Sequence, residues 1–464
     1  ENIATTQEKN SPVTSESKIY FIPHPKLSGC HRVDGRRGTS CHTHPSRRQT
    51  MTSHSHEKAV DRNWLFKILQ NHHNTRSKEE RQLCDSLNAT YPILQNKALA
   101  VAPMVEQSDL PFRLLCRKHG ANLCYTPMIN ARYFVKKQSY RDKMFDFTNS
   151  HNASGGANDR PLIAQLCANN KNNLLQAAKL LEPYVDAIDL NCGCPTKVAK
   201  RGGFGAYLLE SQDYVVDMVR YLVGNISIPV TVKVRLLPQG IDQSLELYRK
   251  LVDAGAALLT VHGRTRLNKG ENTTPADWDA IRKVVECIGD RIPIIANGNI
   301  SNLDDVRACL AHTGADGVMS SESILEYPPL YTQTGTAAVA FKRTGPGRLA
   351  IAREYLNLCE KYPPHEGGGG TRLQCIKRHL LIFCHDDWND RGTILVRDSL
   401  FPVRCSAFEQ LVERHATEMN YFYQVLDQVE AVQRSNRHTE GDERLSWYFR
   451  HQKDEETACT SADC

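Results

Sequence analysis

The 464-residue chain has no run of about 18 consecutive apolar residues, so no transmembrane helix can be read from it. Its 16 cysteines contain no CxxC pair and follow no repeating frame. Many of them, such as Cys116, Cys167 and Cys309, sit inside apolar patterns. Scattered cysteines in a chain of this size read as reduced thiols of a cytoplasmic or nuclear protein, not as a disulfide scaffold. Strong charge of one sign is also missing. Lys plus Arg is 58 against 52 for Asp plus Glu, and a net +6 is too mild to mark a nucleic-acid binder by charge alone. With 40% hydrophobic, 24% charged and 7% aromatic residues, the composition excludes collagen, a coiled coil and wholesale disorder. Position 1 is Glu, not Met, so the natural start is expected to lie upstream.

The length allows two to four domains. Residues 1–58 are rich in Ser, Thr, His, Pro and Arg and are expected to be a disordered extension. Within this stretch Cys30, Cys41, His42 and His44 can be drawn as a zinc site, but the gap lacks a structural-zinc spacing. Residues 59–95 have helical character around Trp64, Leu65, Ile68 and Leu69, and read as a helical arm that packs on the main body or hangs loose. From Lys97 the pattern changes. Short apolar runs occur at Ala98–Ala102, Leu123–Thr126, Pro161–Leu166, Ala187–Leu190, Val230–Val234, Leu258–Val261, Ile292–Ala296 and Gly317–Met319. Helical-period stretches separate most of them, among them Leu110–Lys118, Asn173–Leu181, Tyr214–Val223, Ser244–Ala254, Trp278–Ile288 and Leu303–His312. Near-continuous apolar strands alternating with helices imply a parallel sheet. Eight such units across residues 96–340 predict an α/β fold, a (β/α)8 TIM barrel, with a doubly wound open sheet as the rival. A smaller all-helical domain is expected at 341–435 and a disordered tail at 436–464.

In such a barrel the chemistry lies at the carboxyl ends of the strands. There the sequence places Pro103, Met104 and Val105 after strand one, and Gln165 on strand three. Strand four is followed by Asn191-Cys192-Gly193-Cys194-Pro195 and then by Arg201-Gly202-Gly203-Phe204-Gly205-Ala206. Lys233 and Arg235 belong to strand five, and His262 and Arg264 to the end of strand six. Asn297-Gly298-Asn299 closes strand seven, and Ser320 to Ser323, with Ser321 and Glu322 between them, follow strand eight. Barrels often hold a phosphate with the loops after strands seven and eight. A phosphate site beside a Lys, a His and a Gln suggests FMN.

These motifs carry a resemblance. Lys97–Tyr331, roughly half the chain, resembles the tRNA-dihydrouridine synthases, flavoenzymes with an FMN-binding barrel and a helical RNA-binding domain. The carrying strings are Ala102-Pro-Met-Val with Ser108-Asp109 and Pro111-Phe112-Arg113, Asp189-Leu-Asn-Cys-Gly-Cys194-Pro195, Arg201-Gly-Gly-Phe-Gly-Ala206, Val232-Lys-Val-Arg235, His262-Gly-Arg-Thr265 and Asn297-Gly-Asn-Ile300. Phe204–Leu208 and Asp316–Ser320 look most like the eukaryotic branch acting on D-loop uridines 16 and 17. The resemblance implies that Pro103, Met104 and Val105 line the flavin and that Gln165 and Lys233 meet its ring edge. His262 is then near the ribityl phosphate, with Asn297, Gly298, Asn299 and the backbone at Ser321 and Glu322 around the phosphate itself. Cys194 is the implied proton donor, and Asn191, Arg201, Arg235 and Arg264 fall on the substrate side. Many members carry Gly-Arg where this chain has Ser321-Glu322, so backbone amides and cations elsewhere have to carry the anion.

The implied reaction reduces the C5=C6 bond of a tRNA uridine with NADPH as electron source. Hydride from reduced flavin N5 at C6 leaves a proton to be delivered to C5 from the other face. A cysteine, with an unperturbed pKa of about 8.5, is mostly a protonated thiol at neutral pH and suits that task. Cys194 is preferred to Cys192 because a residue before proline is held extended and because the family motif places the donor there. A covalent nucleophile or a metal pair at Cys192-Gly-Cys194 is the competing chemistry. A flavin barrel acting on a free pyrimidine or another small enone, and a non-catalytic RNA-binding protein, are the competing functions. For RNA contact, Arg113, Arg117, Lys118, Arg132, Lys136, Lys137, Arg141, Lys200 and Arg201 flank the mouth loops, and Arg372, Lys377, Arg378 and His379 form the best basic stripe of the helical region. No metal and no membrane partner is expected, and the chain is expected to be a monomer.

Overall fold

The structure is a computed structural model that describes residues 61–147, 158–269, 272–334, 345–364, 372–383 and some positions between 419 and 431. The expected extension at 1–58 with its Cys/His cluster, the Gly367–Gly370 run and the tail at 436–464 lie outside the described residues.

Eight parallel strands close into a barrel. They are β1 (Ala98–Val101), β2 (Leu123–Tyr125), β3 (Leu162–Cys167), β4 (Ala187–Cys192), β5 (Val230–Leu236), β6 (Leu258–Thr265), β7 (Ile294–Asn297) and β8 (Gly317–Ser320). Each pairs with its chain neighbour, β8 pairs back onto β1, and β2 pairs with β3, so the ring has no open edge. A two-residue strand, Ile129–Asn130, extends the β2 side against β3. β3, β4 and β5 are built almost wholly from buried residues, as expected for strands covered on both faces, and β6 is buried except at His262, Arg264 and Thr265. The open-sheet alternative is therefore replaced by a closed TIM barrel.

Helices cover the outside: α3 (Leu110–Lys118), α6 (Lys171–Leu181), α8 (Gln212–Val223), α9 (Ile241–Asp253), α10 (Trp278–Ile288) and α11 (Leu303–Thr313). Their starts follow local chemistry. Asn170, Asp277 and Asn302 each accept backbone N–H groups of the first turn that would otherwise lack a partner. Shorter helices, α4 (Ala131–Lys136), α5 (Gln138–Met144), α7 (Lys197–Gly202) and α12 (Glu322–Glu326), sit in the loops at the strand ends; they are too brief to show a period in the sequence.

Ahead of the barrel, α1 (Trp64–His73) and α2 (Lys78–Thr90) pack on the end away from the mouth. Trp64 is buried and its Nε1 donates to the Ala257 carbonyl at 2.8 Å. His72 and Arg160 both reach Asp186, at 3.3 and 2.8 Å. A capping box between Ser77 and Glu80 starts α2.

Beyond the barrel, α13 (Gly345–Lys361) packs on α3, and α14 (Arg372–Phe383) packs on α13. Glu354 of α13 takes Lys118 and His119 as partners, which holds its carboxyl down at about 2 against the opposing effect of burial. His379 is fully buried, stacked on Phe112 at 4.6 Å and bonded to Asp109 at 3.1 Å, and Arg378 pairs with Glu106 at 2.6 Å. The expected basic stripe is thus corrected at His379: it is an anchor between α14 and the loop after β1, because Phe112 stacks on its ring and Asp109 bonds its Nε2.

Candidate active site

Register puts the polar mouth residues beside one another. Gln165, Asp189 and Thr231 are in register on β3, β4 and β5, and one step higher Asn191 lies beside Lys233. Arg235, His262 and Asn297 are in register on β5, β6 and β7. Several of these strands run further than their apolar cores suggest, so Asn191, Lys233, Arg235, His262 and Arg264 are themselves strand residues. Strand geometry, more rigid than a loop, therefore aims them.

Two hydrogen-bonded groups emerge. On one side Asn191 donates from Nδ2 to Gln165 Oε1 at 2.7 Å, and Gln165 donates from Nε2 to Asp189 at 2.8 Å. Asn191 Oδ1 accepts the backbone N–H of Cys194 at 3.0 Å and of Gly193 at 3.3 Å. On the other side Lys233 Nζ donates to Asn297 Oδ1 at 2.8 Å, and Asn297 Nδ2 donates to the Met319 carbonyl at 2.9 Å. Arg264 reaches Asn299 Oδ1 at 2.6 Å and lies 3.3 Å from His262 Nε2. Gly298 and Asn299 both have positive φ, +117° and +59°, so the turn after β7 is a left-handed one that glycine and asparagine tolerate.

The electrostatics are those of a site made for an anion. Burial lowers the Lys233 ammonium to about 8, and the neighbouring Arg235 pushes it the same way. Burial and then Arg264 bring Arg235 down to about 10. Burial, with Arg235, Lys233 and Arg264 nearby, drives His262 well below its ordinary range, so it is a neutral imidazole at physiological pH. Three crowded cations repel one another, and an anionic group placed among them relieves that repulsion. A ligand with a phosphate and a flat polar body matches this donor set, with the cations at one side and the Gln165–Asn191 amides at the other.

Cys194 is half-buried, with its Sγ 3.3 Å from Thr196 Oγ1. Its loop is held from several directions. Arg235 Nε donates to the Gly193 carbonyl at 2.9 Å, while its NH1 reaches the Thr265 and Asn268 carbonyls at 2.8 and 3.3 Å. Lys269 Nζ donates to the Pro195 carbonyl at 2.8 Å, and Tyr207 OH to the same oxygen at 3.3 Å. Phe204, Ala199 and Cys167 pack beneath the thiol side chain. Gly205 sits at φ +66°, and a Cβ there would come 2.6 Å from the Cys194 carbonyl oxygen. Gly205→Val is therefore expected to cost about 1–3 kcal/mol and to displace the thiol; thermal melts and product assays on the variant check both. Cys192, by contrast, is fully buried in β4, where burial pushes its thiol far up. Among the described residues no group of three or more His, Cys, Asp or Glu is arranged to hold a metal.

Some sequence expectations shift in place. Met104 is buried and Val105 is 45% exposed at the mouth, with Pro103 between those extremes. Arg201 lies exposed on α7, Ser321 precedes α12, and Glu322 is exposed close enough to Arg235 and Arg264 to act on their charge. Arg113 and Arg117 are not mouth cations. Both are buried and share Asp159, at 2.7 and 3.1 Å, and Arg117 also donates to the Pro161 carbonyl. Their charge is used inside the protein because α3 turns that face toward the chain entering β3. Lys118 is committed to Glu354, and Arg141 to the Phe134 and Val135 carbonyls at 2.8 Å. Sequence reasoning overlooked Asp189, Lys269 and Tyr207 as parts of the site. For Asp189 the signal was present: a carboxylate in the middle of an otherwise apolar strand.

The family model described as Dihydrouridine synthase (Dus) matches residues 100–392. The chain belongs to the dihydrouridine synthase family. Among its relatives, a Mus musculus protein named tRNA-dihydrouridine(16/17) synthase [NAD(P)(+)]-like is 43% identical over 285 residues, which cover 61% of this chain and 54% of the relative. The tRNA-dihydrouridine(16/17) synthase [NAD(P)(+)] of Saccharomyces cerevisiae is 40% identical over 263 residues, 56% of this chain and 60% of the relative. A Mus musculus tRNA-dihydrouridine(20a/20b) synthase [NAD(P)+]-like protein is 39% identical over 233 residues, 50% of this chain and 68% of the relative. The match thus spans little more than half the length of the first two.

Proposed function

We propose that this chain is an FMN-dependent, NADPH-driven tRNA-dihydrouridine synthase that reduces D-loop uridine at positions 16 and 17. The observation that carries the reading is the Cys194 thiol, half-buried beside a mouth lined by Lys233, His262, Arg264 and Asn297. When bound, the flavin supplies the hydride for C6 of the base. Lys233, held by Asn297, would meet the anionic cofactor as a cation. Arg264, tied to Asn299, is better placed at the phosphate turn than beside the base. Arg235 braces the thiol loop through Gly193. Gln165 and Asn191 offer amides to the ring and the base, and Cys194 delivers the proton at C5. Exposed cations such as Arg132, Lys136, Lys137 and Lys200 are left for the RNA backbone. The uridine has to be everted from its stack to reach the mouth.

The test is base analysis of tRNA incubated with the protein, FMN and NADPH. Dihydrouridine at 16 and 17 supports the reading. Turnover of free uridine or orotate, with tRNA unchanged, would replace it with a small-molecule reductase.

Lys233→Met is expected to weaken flavin binding by about tenfold or more, the scale of a lost hydrogen bond to a charged group. Asn297→Ala is expected to weaken it less, since the ammonium stays. An ammonium at about 8 is charged below that pH and neutral above it, so its pull on an anion is present at neutral pH and fades as pH rises past 8. Flavin retention by the parent protein should therefore fall between neutral pH and about pH 9, and the Lys233→Met variant should lose that part of the dependence. Flavin fluorescence during dialysis measures both.

A further inference from the structure

We propose that Asp189 is a positioning residue of this site, its carboxylate dictating which way the Gln165 and Asn191 amides face and, through them, where the Cys194 loop sits. The inference rests on the functional reading above only in naming Cys194 as the proton donor.

Asp189 is fully buried in the middle of β4, next to Ile188 and Leu190. An apolar side chain would fill this position without the cost of desolvating a charge. The carboxylate is instead held by two donors, Thr231 Oγ1 at 2.6 Å and Gln165 Nε2 at 2.8 Å. Burial raises its pKa to about 6, and the bonds from Thr231 and Gln165 and the charge of Lys233 pull the other way, so it is ionised at neutral pH.

An ionised carboxylate only accepts. Gln165 must therefore turn its nitrogen to Asp189 and its oxygen to Asn191. Asn191 must then give its nitrogen to Gln165 and keep its oxygen for the Gly193 and Cys194 N–H groups. Every link allows one polarity, fixed by the carboxylate at one end and by the two backbone N–H groups at the other. Amide side chains are otherwise free to flip. In a dry interior such a chain acts as a unit.

Asp189→Asn keeps the shape and removes the carboxylate's half of that constraint. An amide at 189 can donate to Gln165, which reverses both amides and points the Asn191 nitrogen at the Gly193 and Cys194 N–H groups, donor against donor. The thiol loop then loses its anchor in part of the population.

The experiment uses the full chain, with and without FMN. Alkylation of Cys194 by iodoacetamide is followed on its own peptide by mass spectrometry, and kcat and KM for tRNA are measured alongside. Asp189→Asn is expected to change the alkylation rate by roughly fivefold, about one hydrogen bond, and to lower kcat with tRNA KM unchanged. Gln165→Met cuts the same chain one link higher and should reproduce the alkylation change, which keeps the test open if the Asp189 variant does not fold. Thr231→Val touches the same carboxylate from the far side and, assayed well above the pH at which Asp189 titrates so that the carboxylate stays ionised, should leave the alkylation rate alone. Unchanged alkylation in Asp189→Asn and Gln165→Met overturns the proposal, as does an equal change in Thr231→Val. Altered alkylation in a protein that reduces no tRNA uridine would support the positioning chain while removing the proposed reaction.

Discussion

On the proposed function, replacing Cys194 with alanine is expected to slow uridine reduction by about 10²–10⁴-fold, the usual worth of a general acid, while bound flavin is retained. The two properties separate because they rest on different groups. The cations and the Asn297-Gly-Asn turn on β5 to β7 are on one side of the mouth, and the thiol is on a loop after β4. The Cys194 side chain contacts Thr196 and the Phe204–Ala199 cluster, and its removal leaves the bonds of Lys233, Arg264 and Asn297 in place. Its backbone N–H still has Asn191 to bond. Flavin absorbance and dihydrouridine content of tRNA, measured on one preparation, provide the check. A variant with full activity would remove Cys194 from the donor role, and a colourless one would show that the thiol loop also holds the cofactor.

Asp159→Ala is expected to be the most destabilising single substitution considered, at about 3–5 kcal/mol, because it leaves buried charge without its partner. Asp159 has no exposed surface and receives both Arg113 and Arg117. Arg113 also donates to the Ser108 carbonyl, so the pair of arginines ties the loop after β1, which carries Met104 and Val105, to the chain entering β3. Asp159→Asn should cost less, since an amide oxygen can still accept one of the bonds. Denaturant midpoints for the two variants test the order. Equal, small losses would mean that water reaches the arginines and that the triad is not sealed.

The positions of Arg113 and Arg117 show where sequence reasoning loses its grip. Each is basic and close in the chain to a mouth loop, and nothing local says which way the helix turns. Only the packing of α3 against the β3 entry directs them inward. His379 is a parallel case, read as part of a basic stripe and found stacked on Phe112. The strands were legible because a parallel barrel buries both faces and so writes nearly unbroken apolar runs. The turn after β7 was legible because Asn-Gly-Asn at a strand end supplies residues that tolerate positive φ. Asp189, Lys269 and Tyr207 were not assigned, since their significance lies in what they touch: Gln165 from a neighbouring strand, and the Pro195 carbonyl, which Lys269 reaches from 74 residues away and Tyr207 from 12.

By itself the sequence determined the barrel and the order in which polar residues reach its mouth, because period and strand order survive without coordinates. Tertiary structure alone decided how that mouth is wired. It set which arginines are locked inside, which amide faces which neighbour and which carboxylate those amides are bonded to. Those outcomes depend on contacts a few ångströms long between residues far apart in the chain, and a one-dimensional pattern holds no record of such distances.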